Sequence, residues 1–578
     1  MGELTIMKAR RIFVSVFIIL TFALSFINGC TSKSDSPSSD SPSSDTPSSD
    51  TPSSAKAITA FSLNGVAGTI NETEKTIAVA MPSLTNVYSL AATFTTTGAS
   101  VTIGTTTQKS GVTVNNFIAP VTYTVTAADG STVTYTVTVT INRAWHNPAN
   151  LGDNISPDGQ GTDIAQVAMD KNGNAIIVWA QYDGANSQIF KSEYRNGLWT
   201  YPADLRNKIS PDGDARNPRV AMDDNGNAII IWSEYYGANY QMFKSEYRNG
   251  AWTNPANLSD HFSPNSVPDS PWPLSCQVAM DNNGNAIIVW VQPDGPRGMI
   301  FKSEYRNGVW HHPASLSDKI NPTGISASDP QVAMDNNGNA IIVWYQYDYI
   351  KTTQIFKSEY RNGAWHNPAT LTDNISLGEQ WANSPQVTMD NNGNAIIVWD
   401  QSDGVNEQIF KSEYRGGVWT NPANLADNIS PDGQDARNAK VAMDNSGNAI
   451  IVWHQSDGSH KQIFKSEYRN GAWHNPASLS DNISPDGQDA YFYTQVAMDN
   501  NGNAIIVWNQ FDGASYQIFK SEYRSGLWTC PANLSDNISP DGQDAFYPYA
   551  AMNNIGNAII VWCQSDGTKD QIFKSEYR

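Results

Sequence analysis

Eight tryptophans recur through the C-terminal three quarters of the chain at a nearly constant interval. Trp145, Trp199, Trp252, Trp310, Trp365, Trp419, Trp473 and Trp528 stand 54, 53, 58, 55, 54, 54 and 55 residues apart. A period of this size belongs to one supersecondary unit used repeatedly, because a single unit cannot bury its own hydrophobic face. One copy reads WTNPANLADNISPDGQDARNAKVAMDNSGNAIIVWHQSDGSHKQIFKSEYRNGA. In it KVAMD is a short strand, NSGN a tight turn, AIIVW a strand apolar on both faces, SDGSH a second turn and QIFKSEYR an alternating strand. NG then turns into WHNPASL. Four short antiparallel strands in about 50 residues make one blade of a β-propeller.

The ends of the array argue for closure. It opens on a lone fourth-strand segment, Trp145 to Ile155, and stops at Arg578 after a third strand. If the opening segment completes the last blade, all eight blades are whole and no edge is left to aggregate. A linear solenoid would expose its terminal faces, and no polar capping repeat is visible. The expectation for 143–578 is therefore an eight-bladed β-propeller closed by its N-terminal strand. The repeats resemble the sialidase-like, BNR-type propeller repeats of bacterial secreted proteins, on the motifs VAMDxxGNAIIVWxQxDG and IFKSEYRxGxW. That resemblance bears on fold, since propellers host many unrelated activities.

Ahead of the array lie three segments. Lys8, Arg10 and Arg11 precede an uncharged apolar run from Ile12 to Phe26, which ends in Ile27-Asn28-Gly29-Cys30. The run is short for a membrane span, which takes about 20 residues. This arrangement resembles a bacterial lipoprotein signal, which implies removal of residues 1–29 and lipidation of Cys30. Thr31 in place of Asp implies, by the same resemblance, a Gram-negative outer membrane lipoprotein, periplasmic or surface-exposed. Residues 30–55 repeat Asp, Ser/Thr, Pro, Ser, Ser and hold no hydrophobe to bury, which describes a solvated tether. Residues 56–142 switch to Thr/Val alternation. Val121, Tyr123, Val125 and Ala127 share one face and, after Asp129-Gly130, Val133, Tyr135, Val137, Val139 and Ile141 continue it. In AITAFSLNGVAGTI, TIAVAMPSLTNVYSL and VTYTVTAADGSTVTYTVTVTI this segment resembles the immunoglobulin-like modules behind the anchor of many bacterial surface lipoproteins. The fold class expected for the whole chain is all-β, an immunoglobulin-like sandwich followed by the propeller.

Charge narrows the partners. Lys+Arg 36 against Asp+Glu 56 gives -20, and -22 once 1–29 are removed. With no basic patch, such a chain repels phosphate backbones, so nucleic acid is excluded as a partner. The remaining Cys276, Cys530 and Cys563 are odd in number and stand where sister repeats carry other residues, so no disulfide framework is expected. Eight His and no CxxC pair leave little for a metal site, and no cofactor is expected.

Most polar motifs repeat too faithfully to be catalytic. Glu193-Tyr194-Arg195 returns in every copy down to Glu576-Tyr577-Arg578. A catalytic site breaks a ring's symmetry, whereas charge pairing and aromatic packing between neighbouring blades obey it. Asp432 and Asp435 in SPDGQDA could serve glycoside hydrolysis or calcium, yet they recur as Asp486/Asp489 and Asp541/Asp544 around Pro-Asp-Gly, which is turn chemistry.

The asymmetric positions cluster before VAMD and after the buried Trp, and strand direction puts both stretches on one side of the disc. The strongest candidates for ligand binding there are Trp272 and Trp381, the two tryptophans outside the repeat. Tyr182, Tyr235, Tyr345, Tyr347, His454 and Phe511 join them, with Tyr491, Tyr493, Phe546 and Tyr547 nearby. Exposed aromatics suit sugar stacking or a protein partner. The function expected is non-catalytic binding of glycan or a surface protein by a lipoprotein held to the membrane through its lipid. The alternative is a sialidase-like glycoside hydrolase or lyase, which would bring together unmatched arginines from among Arg206, Arg216, Arg219, Arg297 and Arg437. A purely architectural element would instead leave the aromatics covered.

Overall fold

The computed structural model describes residues 51–578 except 238, 266–273, 296, 349–351 and 379. Cys30, nearly all of the tether and Trp272 lie outside the described residues. The chain divides into residues 1–53 and a second unit, 54–578, which holds all that follows.

The first part of that unit is two sheets around one core. Ile58–Leu63 pairs with Leu90–Thr96 in a four-stranded sheet. A six-stranded sheet is built on Thr132–Asn142, antiparallel to Val121–Thr126 and parallel to Thr76–Pro82. The Thr/Val hairpin forms as its alternation dictates, with Tyr135 opposite Tyr123 and Gly130 at φ 82° in the turn. Its inward residues Tyr123, Val125, Tyr135 and Val137 bury against Phe61, Ile77 and Val79.

The rest forms eight four-stranded antiparallel sheets among the described residues. Sheet 1 spans Gln166–Thr200, sheet 2 Ala215–Thr253, sheet 3 Cys276–His311 and sheet 4 Ala327–His366. Sheet 5 spans Ala382–Thr420, sheet 6 Ala436–His474 and sheet 7 Ala490–Thr529. Sheet 8 joins Ala545–Met552, Ala558–Ser565 and Asp570–Tyr577 to the distant segment Trp145–His146, in which Trp145 pairs with Tyr577. The first strand of each sheet lies against the first strand of the next, and that of sheet 1 against that of sheet 8.

The second strands explain the unbroken AIIVW runs. Ala175 to Trp179 have no exposed surface, and the corresponding run in each other sheet is equally buried. Trp179 stacks on Phe190 across the strand pair at 6.1 Å, and its indole donates to Gln181 (3.1 Å). The Gln181 amide in turn donates to the Pro157 carbonyl (2.7 Å), so one glutamine satisfies the buried indole and fastens the incoming connection.

Adjacent sheets are clasped by the repeated third-strand triad. Glu193 takes salt bridges from Lys191 and Arg195 and accepts the Trp252 indole of sheet 2 (2.7 Å). Lys191 lies over the Trp252 ring at 4.6 Å, and Arg195 over Tyr247 at 3.8 Å while donating to Gly226 O (3.3 Å). The last two clasps join chain ends. Glu522 of sheet 7 accepts the Trp145 indole, and Glu576 of sheet 8 accepts Trp199 of sheet 1 (3.0 Å). Arg578 lies over Tyr194 at 3.6 Å and donates to Gly173 O (3.0 Å).

The hairpin between first and second strands is held by its aspartate. Asp170 accepts from the Asn172 and Asn174 amides (2.9 and 2.8 Å) and from the Asn174 side chain (2.6 Å). Asparagines then link successive hairpins, as Asn283 Nδ2 does to Asn336 O (2.8 Å) and Asn392 Nδ2 to Asn445 O (3.0 Å). The two-sheet domain sits on this hairpin face at the join of sheets 8 and 1. Tyr88 Oη donates to Asn172 O (3.0 Å), Arg143 Nε to Asn557 Oδ1 (3.0 Å), and Leu84, Val87 and Ile118 line a small cavity with Ile555. Gly197, at φ +83°, lies so close beneath Asn86 that a Cβ would meet its carboxamide at 2.5 Å.

Candidate functional site

Antiparallel strands put the second-to-third turns and the connections between sheets on the face opposite the hairpins, away from the docked domain. All the described candidate aromatics belong to these segments. Tyr182, Tyr235 and Trp381 are exposed at 44%, 40% and 45%, while Tyr345, Tyr347 and Phe511 are half-buried.

They form groups. Trp381 meets Tyr347 edge-on (6.0 Å, 88°), and Tyr347 meets Tyr345 (6.4 Å, 71°), which braces an exposed indole from below. The Trp381 backbone is fixed by Ser402 N donating to its carbonyl (3.0 Å). On sheets 7 and 8, Phe511 packs on Tyr516 (5.5 Å), Tyr516 on Phe546 (5.3 Å), and Tyr493 on Tyr547 (4.3 Å). Tyr235 packs on Tyr240 at 5.4 Å. Tyr240 and Tyr516 escaped the sequence reading. Each stands at the start of a third strand, as its second or first residue, directly across from Tyr235 or Phe511, so comparing these strand starts across the copies would have found them.

His454 does not stand with the exposed rings. It is 6% exposed, because strand pairing with Arg437 and Ile463 continues past Trp453 and turns the imidazole inward. Burial, with Lys461 and Arg437 adding to it, pushes the imidazole down to about 4. It lines a cavity of about 530 Å³ with Arg437, Asn438, Gln434 and Lys461.

The equivalent position in sheet 5 holds Asp400, 4% exposed. Burial and then the Glu407 charge push its carboxyl up to about 7, although Asn438 N donates to it (3.2 Å). A carboxyl raised in the folded state binds more protons than the unfolded chain, so its cost appears as pH rises from about 4 through about 7. Asp400→Asn, which installs the residue sheet 7 carries as Asn509, is expected to raise stability at pH 8 by about 2 kcal/mol and to leave it unchanged at pH 4. Denaturant unfolding at the two pH values measures this; equal effects at both would contradict it.

The remaining polar candidates are committed locally. Asp435, Asp489 and Asp544 accept the N–H groups of Glu407, Lys461 and Tyr516 (3.0, 2.8 and 2.8 Å), tying each connection to the preceding sheet. Arg206, Arg216 and Arg437 pair with Asp204, Asp214 and Asp435, each two residues away (2.6, 2.8 and 3.1 Å). Cys276 and Cys563 are buried free thiols pushed up to about 11 and about 12 by burial, and Cys530 is an exposed one. Among the described residues no helix is long and apolar enough to cross a membrane.

A family model described as "SGBP, N-terminal" matches residues 58–139, the two-sheet domain. That family comprises glycan-binding proteins that are surface-associated in Bacteroidetes. No curated protein matches the chain. Among solved structures, the chain is similar to an ulvan lyase of a polysaccharide lyase family at 11% identity, over 73% of this chain and 94% of that one, with a TM-score of 0.38. It is also similar to a puromycin-hydrolyzing peptidase of Mycobacterium tuberculosis (10% identity, 72% and 61% coverage, TM-score 0.39). A third similarity is to an α-L-arabinofuranosidase of Fusarium graminearum (13% identity, 53% and 92% coverage, TM-score 0.31). At these scores no residue, activity or substrate is carried across from the three.

Proposed function

We propose that this chain is a non-catalytic glycan-binding protein of the bacterial surface. In this reading, lipidated Cys30 and a solvated tether carry an immunoglobulin-like module, and the eight sheets form a closed eight-bladed propeller whose open face binds the sugar. The observation that carries it is the braced platform of Trp381, Tyr347 and Tyr345 on the face turned away from the docked domain. An exposed indole with an edge-on aromatic beneath it offers a flat, pre-ordered surface to a sugar ring at little entropic cost. The "SGBP, N-terminal" match over 58–139 supports the same ligand class. A hydrolase reading would look to Asp400 and Glu407, but Asp400 lies buried beneath the Asn438 backbone, out of reach of a substrate.

A glycan array on the full chain tests the proposal. Trp381→Ala and Tyr347→Ala are each expected to weaken binding of the selected glycan about tenfold, which is about 1.4 kcal/mol. Binding to no glycan, or unchanged binding by both variants, would overturn it.

A further inference from the structure

Three residues beyond the buried tryptophan of the second strand, sheets 1, 2, 4 and 7 carry Tyr182, Tyr235, Tyr347 and Phe511, and sheet 3 carries Pro293. Sheets 5, 6 and 8 carry serine there, as Ser402, Ser456 and Ser565. Sheets 5 and 6 are neighbours, so two small side chains in succession interrupt the row of rings between Tyr347 and Phe511. The cavity of about 530 Å³ lies in this interruption. The turn of sheet 5 lines it with Asn406, the chain entering sheet 6 with Gln434, Asp435 and Arg437, and sheet 6 with Ser456 and Lys461. Its size falls among small-molecule sites, which span roughly 300–1,000 Å³.

The walls are fixed by hydrogen bonds from both sheets. Asp435 Oδ1 accepts Glu407 N (3.0 Å), and Arg437 lies between the Asp435 and Glu407 carboxylates (3.1 and 3.4 Å). Ser456 Oγ accepts Gly458 N (3.1 Å), and Lys461 N donates to Asp489 (2.8 Å). Among the described residues, the Lys461 ammonium and the carboxamides of Asn406 and Gln434 make no hydrogen bond to protein, since these residues are tied through their backbones. Arg437 and Lys461 balance Asp435 and Glu407, and His454, pushed down to about 4 by burial, adds no charge above that pH.

The cavity adjoins the aromatic platform. Ser402, which donates to the Trp381 carbonyl, ends the strand that runs into the Asn406 turn. On the other flank Asp489, which holds Lys461 N, accepts Phe511 N at its carbonyl (3.1 Å). Phe511 packs on Tyr516, which meets Phe546 and Tyr491 (5.3 and 5.5 Å). A polar cavity thus stands between two aromatic stations on one face.

We propose that this cavity is a sugar subsite that takes an uncharged residue of a glycan chain, next to the residue stacked on Trp381. This rests on the glycan-binding reading. A sugar hydroxyl both donates and accepts, and the lining offers both: N–H groups of Arg437, Lys461 and the amides to donate, the Asp435 carboxylate and the amide oxygens to accept. A uronate would set a third carboxylate beside Asp435 and Glu407, and an amino sugar a third cation beside Arg437 and Lys461, so the site selects against both.

Calorimetric titration of the full chain with di- to hexasaccharides of laminarin, cellulose, xylan and mannan, and with oligogalacturonate of the same lengths, tests this. Ser456→Phe fills the cavity with the ring that sheet 7 carries as Phe511, and Arg437→Asn installs the residue that sheet 5 carries as Asn383. Sister sheets hold these side chains at the same places, so the Tm of both variants should stay level. In the neutral series that binds, the gain in affinity from di- to hexasaccharide should fall about tenfold in each variant, whereas Trp381→Ala should weaken every length. An unchanged gain in both variants, with Trp381 still required, would overturn the subsite and leave the glycan reading standing. Oligogalacturonate binding tighter than every neutral series, with that preference lost in Arg437→Asn, would overturn the assignment to an uncharged residue. Binding of no oligosaccharide would remove the glycan reading and the subsite with it.

Discussion

Trp145→Ala is expected to lower stability as much as Trp419→Ala, by about 2–3 kcal/mol for each half-buried indole. Trp419 sits inside the array, donating to Glu359 (2.8 Å) beneath Lys357 at 4.7 Å. Trp145 opens the array, yet it packs on Tyr577 at 5.6 Å beneath Lys520 at 4.6 Å and donates to Glu522. In a linear array Trp145 would touch nothing of sheets 7 and 8, and its removal would fall within about 0.5 kcal/mol of neutral, as for an ordinary surface residue. Thermal melts of the two variants therefore test closure directly. Equal losses support a ring tied by its own ends, and a near-silent Trp145→Ala would contradict it.

Acid should unfold the sheets steeply. Burial alone would raise the eight clasp glutamates, but the flanking Lys and Arg outweigh it, so that Glu193, Glu304, Glu413 and Glu576, among others, lie below the usual carboxylate range. A carboxyl depressed in the folded state contributes stability above its unfolded value, which is lost as pH falls through the folded value. Eight equivalent sites taking up one proton each give a limiting slope of roughly 11 kcal/mol per pH unit. His454, held near 4, adds to the loss between about 6.5 and 4, whereas Asp400 works the other way between about 4 and 7. Unfolding followed from pH 5 to pH 2.5 should show an uptake of several protons, reduced by one in Glu359→Gln. An uptake of only one or two would mean that the clasps are not equivalent.

Much of the architecture was legible along the chain. Strand identities followed from apolar runs such as Ala449 to Trp453 and from turn residues such as Asp444 and Gly447, where local sterics and hydrogen bonding act within a few residues. The clasp was legible as well, because an eightfold triad of Lys, Glu and Arg has to serve something eightfold. The candidate site was read less completely. His454 has the composition of an exposed rim residue and lies buried, while Tyr240 and Tyr516 were missed because their role depends on a partner across the strand pair.

By itself, the sequence determined the repeat, the strands and the turns between them. All of these rest on period, turn chemistry and strand direction, which act over one or two units. Only the tertiary structure decided that Trp145 completes the sheet ending at Tyr577, and that the two-sheet domain covers the hairpin face at that join. It also decided that Trp199 of sheet 1 donates its indole N–H to Glu576 of sheet 8, more than three hundred residues away (3.0 Å). Such pairings depend on how sheets distant along the chain come to pack together, and no local pattern in the chain encodes that distance.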